Sequence, residues 1–137
     1  MILDASVLVA AEGRTFDLEA MLRSAGGEAV ALAAITASEL LHGCHRARDA
    51  EVAARRWAWV EALLHAIPLL PFALPEARRH AALWAELARQ GEPIGPHDML
   101  VGATALAAGY AVATLNREAF GRIPGLRLAD TKRFELA

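Results

Sequence analysis

Residues 1–10, Met1-Ile2-Leu3-Asp4-Ala5-Ser6-Val7-Leu8-Val9-Ala10 (MILDASVLVA), set an apolar run against a single carboxylate. Met1 to Leu3 reads as a short buried strand, Asp4 ends it, and Val7 to Ala11 reads as a short helix. A carboxylate at the end of an apolar strand is costly unless it is paired, hydrogen-bonded or bound to a cation. In open α/β sheets ligands bind just beyond the carboxyl ends of the strands, and Asp4 occupies that place if its strand is central. The competing reading is that Asp4 or Ser6 caps the next helix.

Working outward, strands and helices alternate. Thr15 is placed to cap a second helix ending at Gly26-Gly27. Val30 to Ile35 reads as a second strand, and Thr36-Ala37-Ser38-Glu39 matches a capping box opening a third helix. A long helix is predicted from Asp49 to His65. Ile67 to Phe72, flanked by prolines, reads as an edge strand. Pro75 to Gln90 is a helix with proline at its start and Gly91 after its end; Leu83, Trp84 and Leu87 are assigned to its inner face. Pro96 opens an apolar helix that ends at Gly109. Ala111 to Thr114 is a fourth strand, Asn116 to Phe120 a helical turn, and Leu126 to Leu128 a fifth strand. This alternation predicts one α/β domain over residues 1–137, a mainly parallel sheet of four to five strands covered on both faces.

Composition supports this reading and excludes others. Hydrophobic residues make up 55% of the 137-residue chain, enough for a substantial core. No run is apolar enough for a membrane span, and a signal-peptide pattern is missing from the start of the sequence. Cys44 is the only cysteine, so an internal disulfide is impossible, which fits the cytoplasm. The net charge of −2 does not mark a nucleic-acid binder, although 13 of the 14 basic residues are arginine, which suits phosphate or carboxylate contact.

Four polar residues fall where strands end or helices begin: Asp4, Glu39, Asp98 and Asn116. Each has a local explanation as a cap or a first-turn charge. A parallel sheet, however, brings strand ends and helix starts to one edge. Three carboxylates about 5 Å apart repel by roughly 3 kcal/mol per pair at an effective dielectric near 20. A divalent cation removes that penalty, and an all-oxygen donor set favours Mg²⁺ or Mn²⁺ over zinc. Such a site holds a water as nucleophile and stabilises charge on a phosphodiester.

Four segments carry a resemblance: MILDASVLVA, TASELLHG, PIGPHDMLVGATAL and ATLNREAFGRIPGLRL. In order and spacing they resemble the PIN-domain ribonucleases, particularly toxins of the VapC type. The resemblance implies a three-layer α/β/α fold and a metal-dependent endoribonuclease of a toxin–antitoxin pair. It implies that Asp4, Glu39 and Asp98 hold the metal, with Asn116 at a fourth, usually acidic position. Ser6 and Thr114 correspond to hydroxyl positions near the metal. A homodimer and a cognate antitoxin are implied as well. Asparagine at 116 adds no negative charge, which favours one ion over two. The alternative is a catalytically silent module binding antitoxin or nucleic acid.

The remaining signals are weaker. His42, Cys44 and His45 lack a second ligand pair at zinc-site spacing and are read as packing or surface. His97 is read as a helix-start residue. Gly43 suggests a close approach within a helix. Arg46 and Arg48, with Arg55, are read as a basic rim facing the carboxylates, receiving RNA phosphates or an acidic antitoxin segment.

Overall fold

The structure, a computed structural model, describes residues 1–137. Its centre is a parallel sheet of short strands. β1 (Ile2–Leu3) lies in the middle, pairing with β4 (Val112–Ala113) in the register Ile2↔Val112 and Leu3↔Ala113. On its other side Ile2 bridges in parallel to Ala31, at the start of β2 (Leu32–Ala33), which pairs with β3 (Leu69–Leu70). Beyond β4, Val112 bridges in parallel to Leu128. The order is therefore β3-β2-β1-β4, with Leu128 as a fifth, single-bridge contribution.

Alternation along the strands makes two cores. Met1, Leu3, Leu32 and Ala113 face one side. There they meet Val7 and Leu8 of α1 (Ala5–Glu12), Met21 of α2 (Leu18–Ala25), Leu40 of α3 (Ala34–Arg46) and Val60 of α4 (Ala50–Ala66). Ile2, Ala33 and Val112 face the other side. They meet Leu83 and Leu87 of α5 (Leu74–Gln90), Val101 and Ala105 of α6 (Pro96–Ala108) and Phe120 of α7 (Arg117–Gly121). Helices thus cover both faces, the expected three-layer α/β/α arrangement. A closing 3-10 turn, Lys132–Phe134, returns to the first core through Phe134.

Several local expectations are corrected. Asp17, not Thr15, caps α2, accepting from the Ala20 N–H at 2.9 Å; the Thr15 hydroxyl instead bonds the Ala10 carbonyl. Helix α1 begins at Ala5, so Ser6 is inside it. Helix α3 begins at Ala34 directly after the two-residue β2, with Ala33 at its cap position and no side-chain cap. Thr36 is then in the first turn and fully buried, and no capping box forms. Its hydroxyl has no partner. Glu39 is freed from that local role. Trp84, expected inside, is 60% exposed. Leu83 and Leu87, four apart, share the buried stripe, and Trp84 is a hundred degrees round the helix from Leu83. At Gly43 the close neighbour is a side chain, Arg56, which bonds the Gly43 carbonyl and pairs with Glu12.

Candidate active site

The chain builds β1, β2 and β3 outward in one direction and then returns to place β4 on the opposite side of β1. The carboxyl ends of β1 and β4 therefore form the topological switch point, where open α/β sheets bind ligands. Asp4 follows β1 and Thr114 follows β4.

Asp4 is 5% exposed. Its Oδ2 accepts from the Ser6 hydroxyl at 2.7 Å and from the Thr114 hydroxyl at 2.8 Å. Those hydroxyls in turn accept from backbone: Leu115 N–H to Ser6 at 3.0 Å, and Asn116 N–H to Thr114 at 3.0 Å. The hydroxyl protons are thereby aimed at the carboxylate, and Asp4 is held rigidly with only one oxygen engaged. Neither Asp4 nor Asn116 makes a side-chain cap bond to the helix that follows it, so both local capping explanations fail.

The Asn116 side chain turns instead to Asp98, donating from Nδ2 to Oδ2 at 3.0 Å. Asp98 lies in the first turn of α6. Burial first, then the charge of Asp4, pushes its carboxyl above the ordinary range, against the opposing pull of Asn116 and His97. Glu39, in the second turn of α3, is raised chiefly by burial and further by Asp4 and Asp98, while His97 works in the other direction. His97 Nδ1 is 3.3 Å from Glu39 Oε1, joining α6 to α3 across the pocket.

Folding thus brings together Asp4, Glu39, Asp98, Asn116, Ser6 and Thr114, and adds His97, which the sequence reading set aside. Its position next to Asp98 was the available signal. Arg46 and Arg48 are not part of the pocket. Helix α3 runs away from the sheet edge, and Arg46, seven residues beyond Glu39, is about 10 Å farther along its axis. Both arginines are exposed. Cys44 is buried and its thiol is pushed up by that burial, as for a packing residue.

The donor set has the chemistry that a hard divalent cation requires. It is hard and oxygen-rich, the charge of Asp4 adds to burial in raising both Glu39 and Asp98, and Asp4 retains Oδ1 free of protein hydrogen bonds. No three acidic or imidazole groups already converge on one ligation point. Glu39 is turned to His97 and Asp98 to Asn116. The residues fit such an ion.

A parallel three-layer sheet with an acidic pocket at its switch point defines the class, and the chain belongs to the PIN domain family, whose model matches residues 1–126. Within that family it is similar to VapC ribonucleases. It is 33% identical over 128 residues to Ribonuclease VapC1 of Rickettsia felis, covering 93% of each chain. It is 34% identical over 99 residues to the tRNA(fMet)-specific endonuclease VapC of Salmonella typhimurium, covering 72% of this chain and 73% of the relative. The structure of DNA-bound VapBC from Salmonella typhimurium matches with a TM-score of 0.84 at 27% identity, over 94% of this chain and 96% of that one.

Proposed function

We propose that this chain is a Mg²⁺- or Mn²⁺-dependent endoribonuclease, the toxin of a toxin–antitoxin pair, acting as a homodimer restrained by its antitoxin. The observation that carries the chemistry is the gathering of Asp4, Glu39 and Asp98 at the switch point, the last two with carboxyls raised by burial and by the charge of Asp4. The names of the VapC relatives support ribonuclease activity, and the VapBC complex supports an antitoxin partner. No helix is long and apolar enough to cross a membrane.

Asp4, Asp98 and Glu39 are the residues that would hold the ion. When bound, the ion supplies Lewis acidity, making a water nucleophilic near neutral pH and offsetting charge on the phosphodiester. Ser6 and Thr114 hold Asp4 by one oxygen and leave the other free of protein hydrogen bonds. Asn116 orients Asp98 and brings an amide where a further carboxylate would add charge, consistent with one ion. His97, exposed beside Glu39, contacts that carboxylate from α6.

The test is cleavage of a defined single-stranded RNA panel in metal-controlled buffer. Wild type should cut only with Mg²⁺ or Mn²⁺, and Asp98→Asn or Asp4→Asn should reduce cleavage by at least a hundredfold with the fold retained. Full activity in either variant would reject the site. Metal binding without any cleavage would favour the silent module.

A further inference from the structure

A hydroxyl outside the acidic pocket has a hold on it. Thr131 is fully buried and stands at the cap position of the closing 3-10 turn, yet its side chain makes no cap bond. It serves two other groups instead. Its Oγ1 accepts from Arg117 Nε at 3.0 Å and donates to the Thr114 carbonyl at 3.1 Å. Arg117 Nε can only donate, so the single hydroxyl proton is left for the carbonyl and the direction of both bonds is fixed.

The segment spanned by those two contacts is the one that serves the site. Residues 114–117 make the turn from β4 into α7. Within it the Thr114 hydroxyl bonds Asp4 Oδ2 at 2.8 Å, and the Asn116 amide bonds Asp98 Oδ2 at 3.0 Å. One buried hydroxyl therefore clasps the turn at both ends, and two side chains of that turn reach two different acids. The clasp is itself anchored. Arg117 Nη2 also meets Glu135 Oε1 at 3.0 Å, and Glu135 bridges in antiparallel fashion to Phe16. Phe134 packs edge-on against Phe16, and its carbonyl accepts from the Asp17 N–H at 2.8 Å. Thr131 thus stands on a segment fixed to the α1–α2 connection, beyond residue 126, where the family match ends.

We propose that Thr131 is a positioning residue for the acidic site: through the Thr114 carbonyl and Arg117 it holds the turn whose side chains orient Asp4 and Asp98. The inference rests on the ion-dependent reading above. The Thr114 hydroxyl keeps its aim only while the backbone beneath it stays in place, and the same holds for the Asn116 amide. With the clasp opened, the turn keeps its covalent path, but both side chains gain freedom and the two carboxylates gain it with them.

The experiment uses the full chain. Thr131→Val keeps the shape of the side chain and removes both hydrogen bonds, whereas Thr131→Ser keeps the hydroxyl. Phe134→Leu is the control, loosening the same segment through the core without touching the clasp. In metal-free protein, Thr131→Val should speed hydrogen exchange of the Leu115 and Asn116 N–H groups, which bond the Ser6 and Thr114 hydroxyls, about tenfold relative to core amides elsewhere. Titrated with Mn²⁺ in a calorimeter, it should bind about tenfold more weakly, the scale expected of a supporting hydrogen bond behind a ligand. Thr131→Ser should restore both readouts, and Phe134→Leu should lower the melting temperature while leaving both near wild type. Arg117→Met opens the clasp from its more exposed end and should move both readouts in the same direction; if Thr131→Val does not fold, this variant decides in its place. Wild-type exchange and affinity in the folded variant would overturn the proposal. So would Phe134→Leu reproducing both changes, which would reduce Thr131 to a packing residue. Wild type that neither binds Mn²⁺ nor cleaves RNA would instead sink the ion-dependent reading. The exchange comparison, made without metal, then still decides the clasp: a tenfold loss of protection supports it and no loss refutes it.

Discussion

Glu39 and Asp98 show what a fold does when it gathers like charges. Both carboxyls are raised, chiefly by burial, so the folded protein binds protons more tightly there than the unfolded chain does. The linkage sign follows: between the ordinary carboxylate value and the raised one, the native state holds the extra protons, and stability falls as pH rises through that window. Above it the penalty is complete. In chelator-treated protein, the melting temperature should therefore rise as the buffer is taken from neutrality down toward the ordinary carboxylate range. Asp98→Asn, which keeps an oxygen to accept from Asn116, should melt higher than wild type at neutral pH and show a flatter profile. A wild-type melting temperature that falls monotonically on this mild acidification would contradict the burial and charge balance described here. The same two residues mark how far the sequence was legible. Asp4 ends β1 and Asp98 opens α6, so both are legible from local pattern, whereas Glu39 is singled out by a capping-box spacing that does not form and lies in the second turn of α3. The Glu39–His97 contact was not legible, because it joins residues on two helices that only tertiary packing brings together.

At the scale of elements, local pattern and packing part company in identifiable places. Thr36 and Glu39 have the spacing of a capping box, yet β2 is only two residues long and α3 starts at once from Ala34, which puts Thr36 inside the helix. Apolar spacing alone placed Trp84 inward, but the stripe that α5 buries is set by Leu83 and Leu87. The alternation of strands and helices was readable throughout because short apolar runs bounded by glycine and proline leave few options. One packing detail was invisible: a Cβ on Gly102 would stand 2.5 Å from Cδ1 of Ile123, which seats α6 against the segment after α7. Overpacking of this kind costs about 1–3 kcal/mol, and here only one methyl at the end of a side chain is in the way. Gly102→Ala should thus destabilise by about 1 kcal/mol. Adding Ile123→Val, which removes that methyl, should make the double variant more stable than the two single effects summed. Simple additivity in denaturant unfolding would show that the contact is not the cause.

The whole molecule ties these features to one another, because the sheet order that makes β1 central also forces its carboxylate into company. Two cores, one on each face, hold the strands in register, and Ser6 and Thr114 lock Asp4 from opposite ends of the chain. The cost of that arrangement is stored in the native state and absent from the unfolded one, where the acids are far apart and solvated. An ion that binds the gathered acids relieves it, and such binding stabilises the fold by mass action, about 2.7 kcal/mol at a hundredfold excess over the dissociation constant. For a domain of this size that is a rise in melting temperature on the order of 10 °C. Mn²⁺ titrated into chelator-treated protein should produce a saturable rise of that kind. The Asp98→Asn protein, despite starting from a higher baseline, should respond little, because it has lost a charged ligand and not the fold. Equal responses in the two proteins would place the ion elsewhere and remove the physical reason for bringing three acids to one edge of the sheet.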